Sequence, residues 1–346
     1  MRENRFLKAC RGEEVDTTPV WLMRQAGRYL PQYMEIRRRT TFLGLCKTPE
    51  LAAEVTVQPV DYLGVDAAIL FSDILIPLEA MGMRLEFAPD EGPVFPEPIR
   101  SAQDVDRLEP FDPTERTPFT LEAIRLTVRA LDGKVPLIGF AGAPFTLAAY
   151  MVEGRGSKSW MQLKRLMAQE RGLAHALFDK LADTISDYLA AQVEAGCRAL
   201  QIFDSWGGEL DAEDFRRWSL PYLQRIVSDL KSQHPHVPVI YFGTCMSHLL
   251  DLLPETGADV IGLDWRIDLG EARKRLGPEV AVQGNLDPAA LFLSKQEISA
   301  RVQKILERNA GRPGHIFNLG HGVYPLTDPE HARHLVAEVH RLGARG

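Results

Sequence analysis

Pro19-Val-Trp-Leu-Met-Arg-Gln-Ala-Gly-Arg-Tyr-Leu-Pro31 changes character within one residue. Val20 to Met23 is a short apolar run that reads as a buried strand. Arg24 and Arg28 then bracket Gln25, Ala26 and Gly27, and Tyr29 and Pro31 close the turn. A planar guanidinium meets a carboxylate or phosphate through two parallel hydrogen bonds. Two of them four residues apart, around a glycine that lets a ligand approach the backbone, form an anion clamp. The competing reading is a pair of structural salt bridges at the edge of the fold.

The same unit recurs along the chain, a short apolar strand with a polar or glycine tip. Ala67–Phe71 stops at Ser72-Asp73, and Pro136–Phe140 stops in a Gly-Ala-Pro turn. Ala199–Phe203 ends at Asp204-Ser205, Val237–Phe242 at Gly243 and Val260–Leu263 at Asp264. Val280–Gln283 ends at Gly284-Asn285, and His315–Leu319 at Gly320-His321. Helical patterns lie between most of them, over 174–195, 211–232, 247–256 and 295–309, and 329–342 follows the last strand. A further helix opens at Thr48-Pro-Glu, with Thr48 as N-cap and Pro49 in its first turn. It runs to about Tyr62, with Leu51, Val55 and Val57 inward, and stops at Gly64.

Strands without polar alternation are buried on both faces, as in a parallel sheet. Repeated strand–helix units give an α/β fold. Eight of them predict a single-domain (β/α)8 TIM barrel spanning 1–346, with the active site on the C-terminal rim of the strands. An open doubly wound sheet would concentrate its site at one switch point. No G-x-G-x-x-G follows the first strand, which weighs against a dinucleotide fold. The Pro- and acid-rich stretch from Glu86 to Pro118 reads as an excursion over the barrel surface. Glu153-Gly-Arg-Gly-Ser-Lys reads as a mobile loop near the cleft.

Four rim residues carry candidate chemistry. Asp73 is either a carboxylate facing the cleft or the cap of the next helical turn. Tyr150 lies on an apolar helical turn past the third strand, where packing alone would bury it. Ser205 is a binding hydroxyl or a helix cap; no Gly-x-Ser-x-Gly elbow surrounds it to support a nucleophile. His321 stands between two glycines and so faces the cleft. His234 and His236, before the fifth strand, are expected to be solvated.

Net charge is −7, so the basic footprint of a nucleic-acid binder is missing. An acidic protein that binds an acidic substrate concentrates its cations locally. Arg24 and Arg28 do this, with Arg37 as a further candidate and Arg38 and Arg39 on a solvated face. The four cysteines, Cys10, Cys46, Cys197 and Cys245, contain no Cys-x-x-Cys pair, which argues against a structural zinc and a disulfide scaffold. MRENRFLKACRGEE has no apolar core of signal-peptide length, and no run approaches the ~20 apolar residues of a membrane span. The expectation is a cytoplasmic protein.

PVWLMRQAGRYLP resembles the N-terminal signature of the uroporphyrinogen decarboxylase family, haem-pathway enzymes that turn four acetate side chains of a tetrapyrrole into methyls. GFAGAPFTLAAYMVEG at 139–154 resembles its second signature. FSDIL at 71–75, QGNLDP at 283–288 and NLGHG at 318–322 extend the likeness over nearly the whole chain. The resemblance implies conversion of uroporphyrinogen III to coproporphyrinogen III, without metal or organic cofactor, in a homodimer. It implies that Asp73 stabilises a cationic intermediate. Arg24, Gln25, Ala26, Gly27, Arg28, Tyr150, Ser205 and His321 would bind substrate.

Three rivals use the same pattern. Corrinoid and methylthiol methyltransferases resemble these decarboxylases but hold zinc through a late His-x-Cys pair and a further cysteine. Here Cys245 is the last cysteine and lacks that setting. A phosphosugar isomerase would suit the glycine-rich ends of the last two strands, yet no strand tip offers a lysine or glutamate base. A non-catalytic tetrapyrrole carrier would differ only in lacking turnover.

Overall fold

Burial on both faces organises the strands, and they pair in chain order. The computed structural model describes residues 4–88 and 92–345. Residues 89–91 of the predicted surface excursion, and 1–3 and 346 of the single predicted domain, lie outside them. β1 is Ala68–Ile69, β2 Glu86–Ala88 and β3 Gly92–Val94; β4 is Leu137–Gly142, β5 Ala199–Asp204 and β6 Val239–Gly243. β7 is Val260–Gly262, β8 Ala281–Gln283 and β9 His315–Ile316. Among the described residues β1 and β4–β9 form one curled parallel sheet in the order β1-β4-β5-β6-β7-β8-β9. β2 and β3 form a separate antiparallel hairpin inside the excursion. All six residues of β4 are buried, as expected for a strand covered on both faces.

Register aligns the strand ends. Gly142 pairs with Phe203, Phe242 with Gly262, Gly262 with Gln283, and Gln283 with Ile316. The residues just beyond these pairs, Asp204, Asp264, Asn285 and Asn318 among them, therefore share one rim. Below the rim a buried polar chain crosses the interior: the Trp21 indole donates to Gln283 at 2.8 Å, and Gln283 donates to Gln201 at 3.0 Å.

The expected first strand is reduced to one bridge, Val20 to Phe317. Side chains have taken the ladder's acceptor positions. The backbone N–H of Val20 donates to Asp66 at 2.8 Å, that of Leu22 to Gln25 at 3.1 Å, and that of Met23 to Asn318 at 2.9 Å. The segment nonetheless touches both edges of the sheet. Phe317 N–H donates to the Pro19 carbonyl on one side, and Asp66 N–H to the Val20 carbonyl on the other, both at 2.8 Å.

Helices Pro49–Leu63, Arg171–Ala195, Lys295–Asn309 and Pro329–Leu342 fall where the periodicity places them. Gly64 ends the first in the left-handed region, φ 75°. Val55 is buried there, while Leu51 and Val57 are half-buried. The Thr48 hydroxyl does not cap this helix; it donates to the Gly44 carbonyl one turn earlier. The pattern over 211–232 splits into Ala212–Trp218 and Leu220–Gln233, because Pro221 disfavours helical backbone before it and restarts the helix. The 247–256 pattern is a 3-10 helix, Leu250–Thr256, with Pro254 removing a donor from it. Further helices were not foreseen, among them Pro118–Leu131, Met161–Gln169 and Leu269–Leu276. The loop expected to be mobile is pinned at its start: Gly154 accepts from Phe95 N–H at 2.7 Å, and Arg155 bridges Val94. His236 is exposed as expected, but His234 is half-buried. Among the described residues all four cysteines are free, and no helix is long and apolar enough to cross a membrane.

Asp66 holds this arrangement from beneath. Only 7% exposed, it accepts from Val20 N–H, pairs with Arg5 at 3.0 Å and meets His340 Nε2 at 2.7 Å. One carboxylate thus ties helix Arg5–Cys10, helix Pro329–Leu342 and the arginine-bearing segment together. Asp66→Ala leaves the buried Val20 N–H without its acceptor and Arg5 with Asp16 alone, and is expected to cost about 1–3 kcal/mol of folding free energy. Urea denaturation measures it; a loss under about 0.5 kcal/mol would show the clamp to be dispensable.

Candidate active site

Past Met23 the chain turns sharply at Arg24, a non-glycine residue in the left-handed region with φ 60°. Such backbone costs of order 1–3 kcal/mol and persists where the surroundings over-determine it. Here the next residue supplies the restraint. The Gln25 amide is fully buried; its oxygen accepts from Leu22 N–H, its nitrogen donates to the Ala67 carbonyl at 3.1 Å, and its own carbonyl accepts from Tyr29 at 2.9 Å. The Gln25 side chain is thus a tie between the turn and the residue before β1. Ala26 and Gly27 are half-buried at the mouth.

Arg24 and Arg28 are exposed, and among the described residues neither makes a hydrogen bond or ion pair. The salt-bridge reading of the pair therefore does not hold. Arg24 lies across Gly322, where an added Cβ would sit 2.3 Å from its Cδ. Only glycine leaves room for that side chain. Arg37 donates to the Thr40 carbonyl and, with Arg28, lowers the pKa of the buried Tyr33 hydroxyl against the rise that burial imposes.

The field of Arg24 reaches three other rim residues. Asp73 is half-buried, and its Oδ1 accepts from Leu75 N–H at 2.8 Å. Loss of water raises its pKa, while the Leu75 N–H and the Arg24 charge oppose the rise. Tyr150 is half-buried, edge-on to Trp160 at 5.4 Å and to Trp206 at 6.3 Å. Burial raises its pKa and nearby Asp73 adds to the rise; Trp206 and Arg24 oppose it. The Trp206 indole N–H lies buried outside hydrogen-bond geometry. His321, edge-on to Trp265 at 6.5 Å, has its pKa pushed down to about 4, first by burial and then by Arg24 and Arg266. It is a neutral imidazole at neutral pH.

Ser205 is half-buried; its carbonyl accepts from Thr244, and its hydroxyl makes no hydrogen bond among the described residues. It caps no helix. The buried group at this tip is its neighbour. Asp204 accepts hydroxyl donors from Thr146 at 2.6 Å, Tyr241 at 2.8 Å and Ser219 at 3.3 Å. Thr146 also accepts from Trp206 N–H at 3.1 Å, so Asp204 supports the loop that carries Ser205 and Trp206. Arg266 was also missed. It pairs with the buried Asp264 at 2.7 Å and lies over the Trp265 ring at 4.0 Å. Both acids stood at strand tips in the sequence, which was the available signal; the partners of Asp204 lie elsewhere in the chain, while Arg266 is two residues from Asp264.

The rim thus gathers unpaired guanidiniums, one partly desolvated carboxylate, a phenol, a hydroxyl and a neutral imidazole. That set fits a ligand with several carboxylates and a reacting centre that becomes positive. Among the described residues no group of three or more His, Cys, Asp or Glu side chains is placed to hold a metal ion.

A family model described as uroporphyrinogen decarboxylase (URO-D) matches residues 1–342. The chain is 62% identical over 340 residues to the uroporphyrinogen decarboxylase of Myxococcus xanthus, covering 98% of this chain and 97% of that one. It is 54% identical over 342 residues to that of Geobacter sulfurreducens, covering 99% of each. Among solved structures, a methyltransferase from Methanosarcina mazei superposes with TM-score 0.80 over 97% of each chain at 22% identity. A B12-independent methionine synthase from a Shewanella species does so with TM-score 0.58 over 96% of each at 13% identity. Those two likenesses speak to fold alone.

The state of His321 can be read by 15N NMR of the imidazole. Its midpoint is expected near 4, and Arg24→Ala should move it upward, since removing a nearby cation makes protonation easier. A wild-type midpoint near 6.5 would contradict the desolvated site.

Proposed function

The chain belongs to the uroporphyrinogen decarboxylase family, and from that premise we propose how its rim carries out the reaction. The enzyme is a carboxy-lyase of porphyrin biosynthesis. Each cycle takes an acetate side chain of the tetrapyrrole to a methyl, and four cycles convert uroporphyrinogen III to coproporphyrinogen III.

Breaking the bond to carbon dioxide leaves an electron pair on the methylene carbon. A pyrrole ring protonated on carbon accepts that pair, so the substrate supplies its own electron sink. A second proton then completes the methyl and the ring gives up the first, so that in sum one proton has replaced carbon dioxide. What the protein must add is orientation and a negative charge beside a cationic ring. Arg24 and Arg28 hold carboxylates that no residue of the chain neutralises. Tyr150, Ser205 and the neutral His321 donate or accept further hydrogen bonds, with Arg37 behind Tyr33. Asp73 faces the pyrrole N–H groups as a preorganised charge. The Leu75 N–H and Arg24 oppose the rise that desolvation imposes on its pKa.

The single observation behind this reading is the unpaired Arg24/Arg28 couple beside the half-buried Asp73. We read the hydrogen bonds of Pro19 and Val20 to both sheet edges as the eighth stave of a closed (β/α)8 barrel whose C-terminal rim is the active site. A facing copy of the chain would wall the cleft from water, in a cytoplasmic homodimer; a monomer-sized particle in light scattering at assay concentration would remove that part.

Incubation with uroporphyrinogen III under reducing, anaerobic conditions, with products separated by carboxylate number, tests the activity. A carrier would return the substrate unchanged.

Asp73→Asn keeps shape and removes charge. It is expected to lower kcat by about 10²–10³, the loss typical of one preorganised electrostatic group. Substrate affinity and melting temperature should change little, because the arginines bind separately. Asp73→Glu should leave partial activity with hepta-, hexa- and pentacarboxylate intermediates accumulating. A near-wild-type Asn variant, with stability lost in the Glu variant, would make Asp73 a turn-capping residue instead.

A further inference from the structure

A second cavity, of about 400 Å3, opens outside the loops that follow β7 and β8. Its walls come from residues 265–269, from 285–293 and from helix Lys295–Asn309. Ile267, Leu269, Leu286, Leu293 and Ile305 give it an apolar floor. Arg301, Lys304 and Arg308 line it with Ile305 at i, i+3, i+4 and i+7 of one helix, and so share a face.

The charges do not cancel. Asp268 accepts from Gly270 and Glu271 N–H groups and pairs with Arg308 at 3.2 Å. Asp287 accepts from Ala289 N–H at 2.9 Å. Both acids are thus committed to their own loops. The acid that Arg301 feels is Glu297, one turn earlier, which is held in a capping box by Ser294. Lys304 makes no hydrogen bond or ion pair among the described residues. In a chain of net charge −7, two cations over a dry floor without a committed acid form a local positive excess.

The cavity is separate from the catalytic cleft. Trp265 is the partition: its edge meets His321, while its face carries Arg266. None of Arg24, Asp73, Tyr150, Ser205 or His321 lines the cavity.

We propose that this cavity binds a small amphipathic anion, a carboxylate or phosphate carried on a short apolar body. The floor takes the body and the helix face takes the head. A guanidinium and an ammonium at its edge meet either head group by charge-assisted hydrogen bonds. An apolar lining with a few placed polar groups is the usual composition of a small-molecule site.

Isothermal titration of the full chain at low ionic strength tests it, with hexyl phosphate and hexanoate as probes and inorganic phosphate and 1-hexanol as partial mimics. Both amphipathic probes are expected to bind more tightly than either mimic, and the stronger of the two names the head group. The exposed pair Arg301→Ala/Lys304→Ala should weaken both at least tenfold with an unchanged melting temperature. Arg24→Ala should leave the affinities within twofold. No binding by the wild type, equal binding by the double variant, or loss of binding in Arg24→Ala would each overturn the proposal, the last because the probe would then occupy the cleft.

Discussion

The structure depends on how residues 19–25 are held between the two edges of the sheet. Backbone bonds from Pro19 and Val20 reach Phe317 and Asp66, while side chains of Asp66, Gln25 and Asn318 take the remaining donors. Nothing in this segment is free to slide, because the N–H groups of Val20, Trp21 and Met23 bond to residues 66, 317 and 318, and those of Leu22 and Gln25 close the turn on itself. That rigidity is what forces Arg24 into left-handed backbone. A looser segment would relax the turn, and the guanidinium would leave Gly322. The strained residue is stable because its neighbours are fully bonded, the usual arrangement where a site needs an unusual geometry.

Charge on the rim follows from the same constraint. Asp73, Tyr150 and His321 come from three separate tips, yet each feels Arg24. Burial pushes all three toward their neutral forms. For Asp73, Arg24 works against burial; for His321, it works with burial. One cation therefore helps keep a carboxylate charged and an imidazole uncharged within the same partly dry cleft. A carboxylate and a neutral ring near a bound polyanion avoid the repulsion and competing salt bridges that a second acid and an imidazolium would bring.

Much of this was legible before any coordinates. Strands buried on both faces show as apolar runs, and glycine or acid tips mark where they stop, so seven of the eight expected strands appear in order. The arginine couple and Asp73 stood out as charge beside a buried strand, and His321 as a histidine between two glycines at a strand tip. What failed was whatever depends on a distant partner. Val20–Met23 looked like a strand because its apolar pattern is one; side-chain acceptors from residues 66 and 318 replaced the ladder. The bond of the Gln25 side chain was hidden too, since its partner is the distant Ala67 carbonyl. Asp204 was visible only as a tip, since Thr146, Ser219 and Tyr241 converge on it from other elements. The split helix at Ser219 was readable from Pro221, and the long periodic pattern masked it.

The contact between Arg24 and Gly322 also bears on when the site comes into being during synthesis. The two residues stand near opposite ends of the described chain, and the space Arg24 occupies exists only once the loop after β9 has packed. Arg24 leaves the ribosome long before Gly322, so its resting place on that loop forms only after the last strand has been made. Two exposed cations on an unfinished chain would meet polyanions before the cleft could act on them. The contact between Arg24 and Gly322 is therefore among the last to form, and an unfinished chain carries both guanidiniums without it.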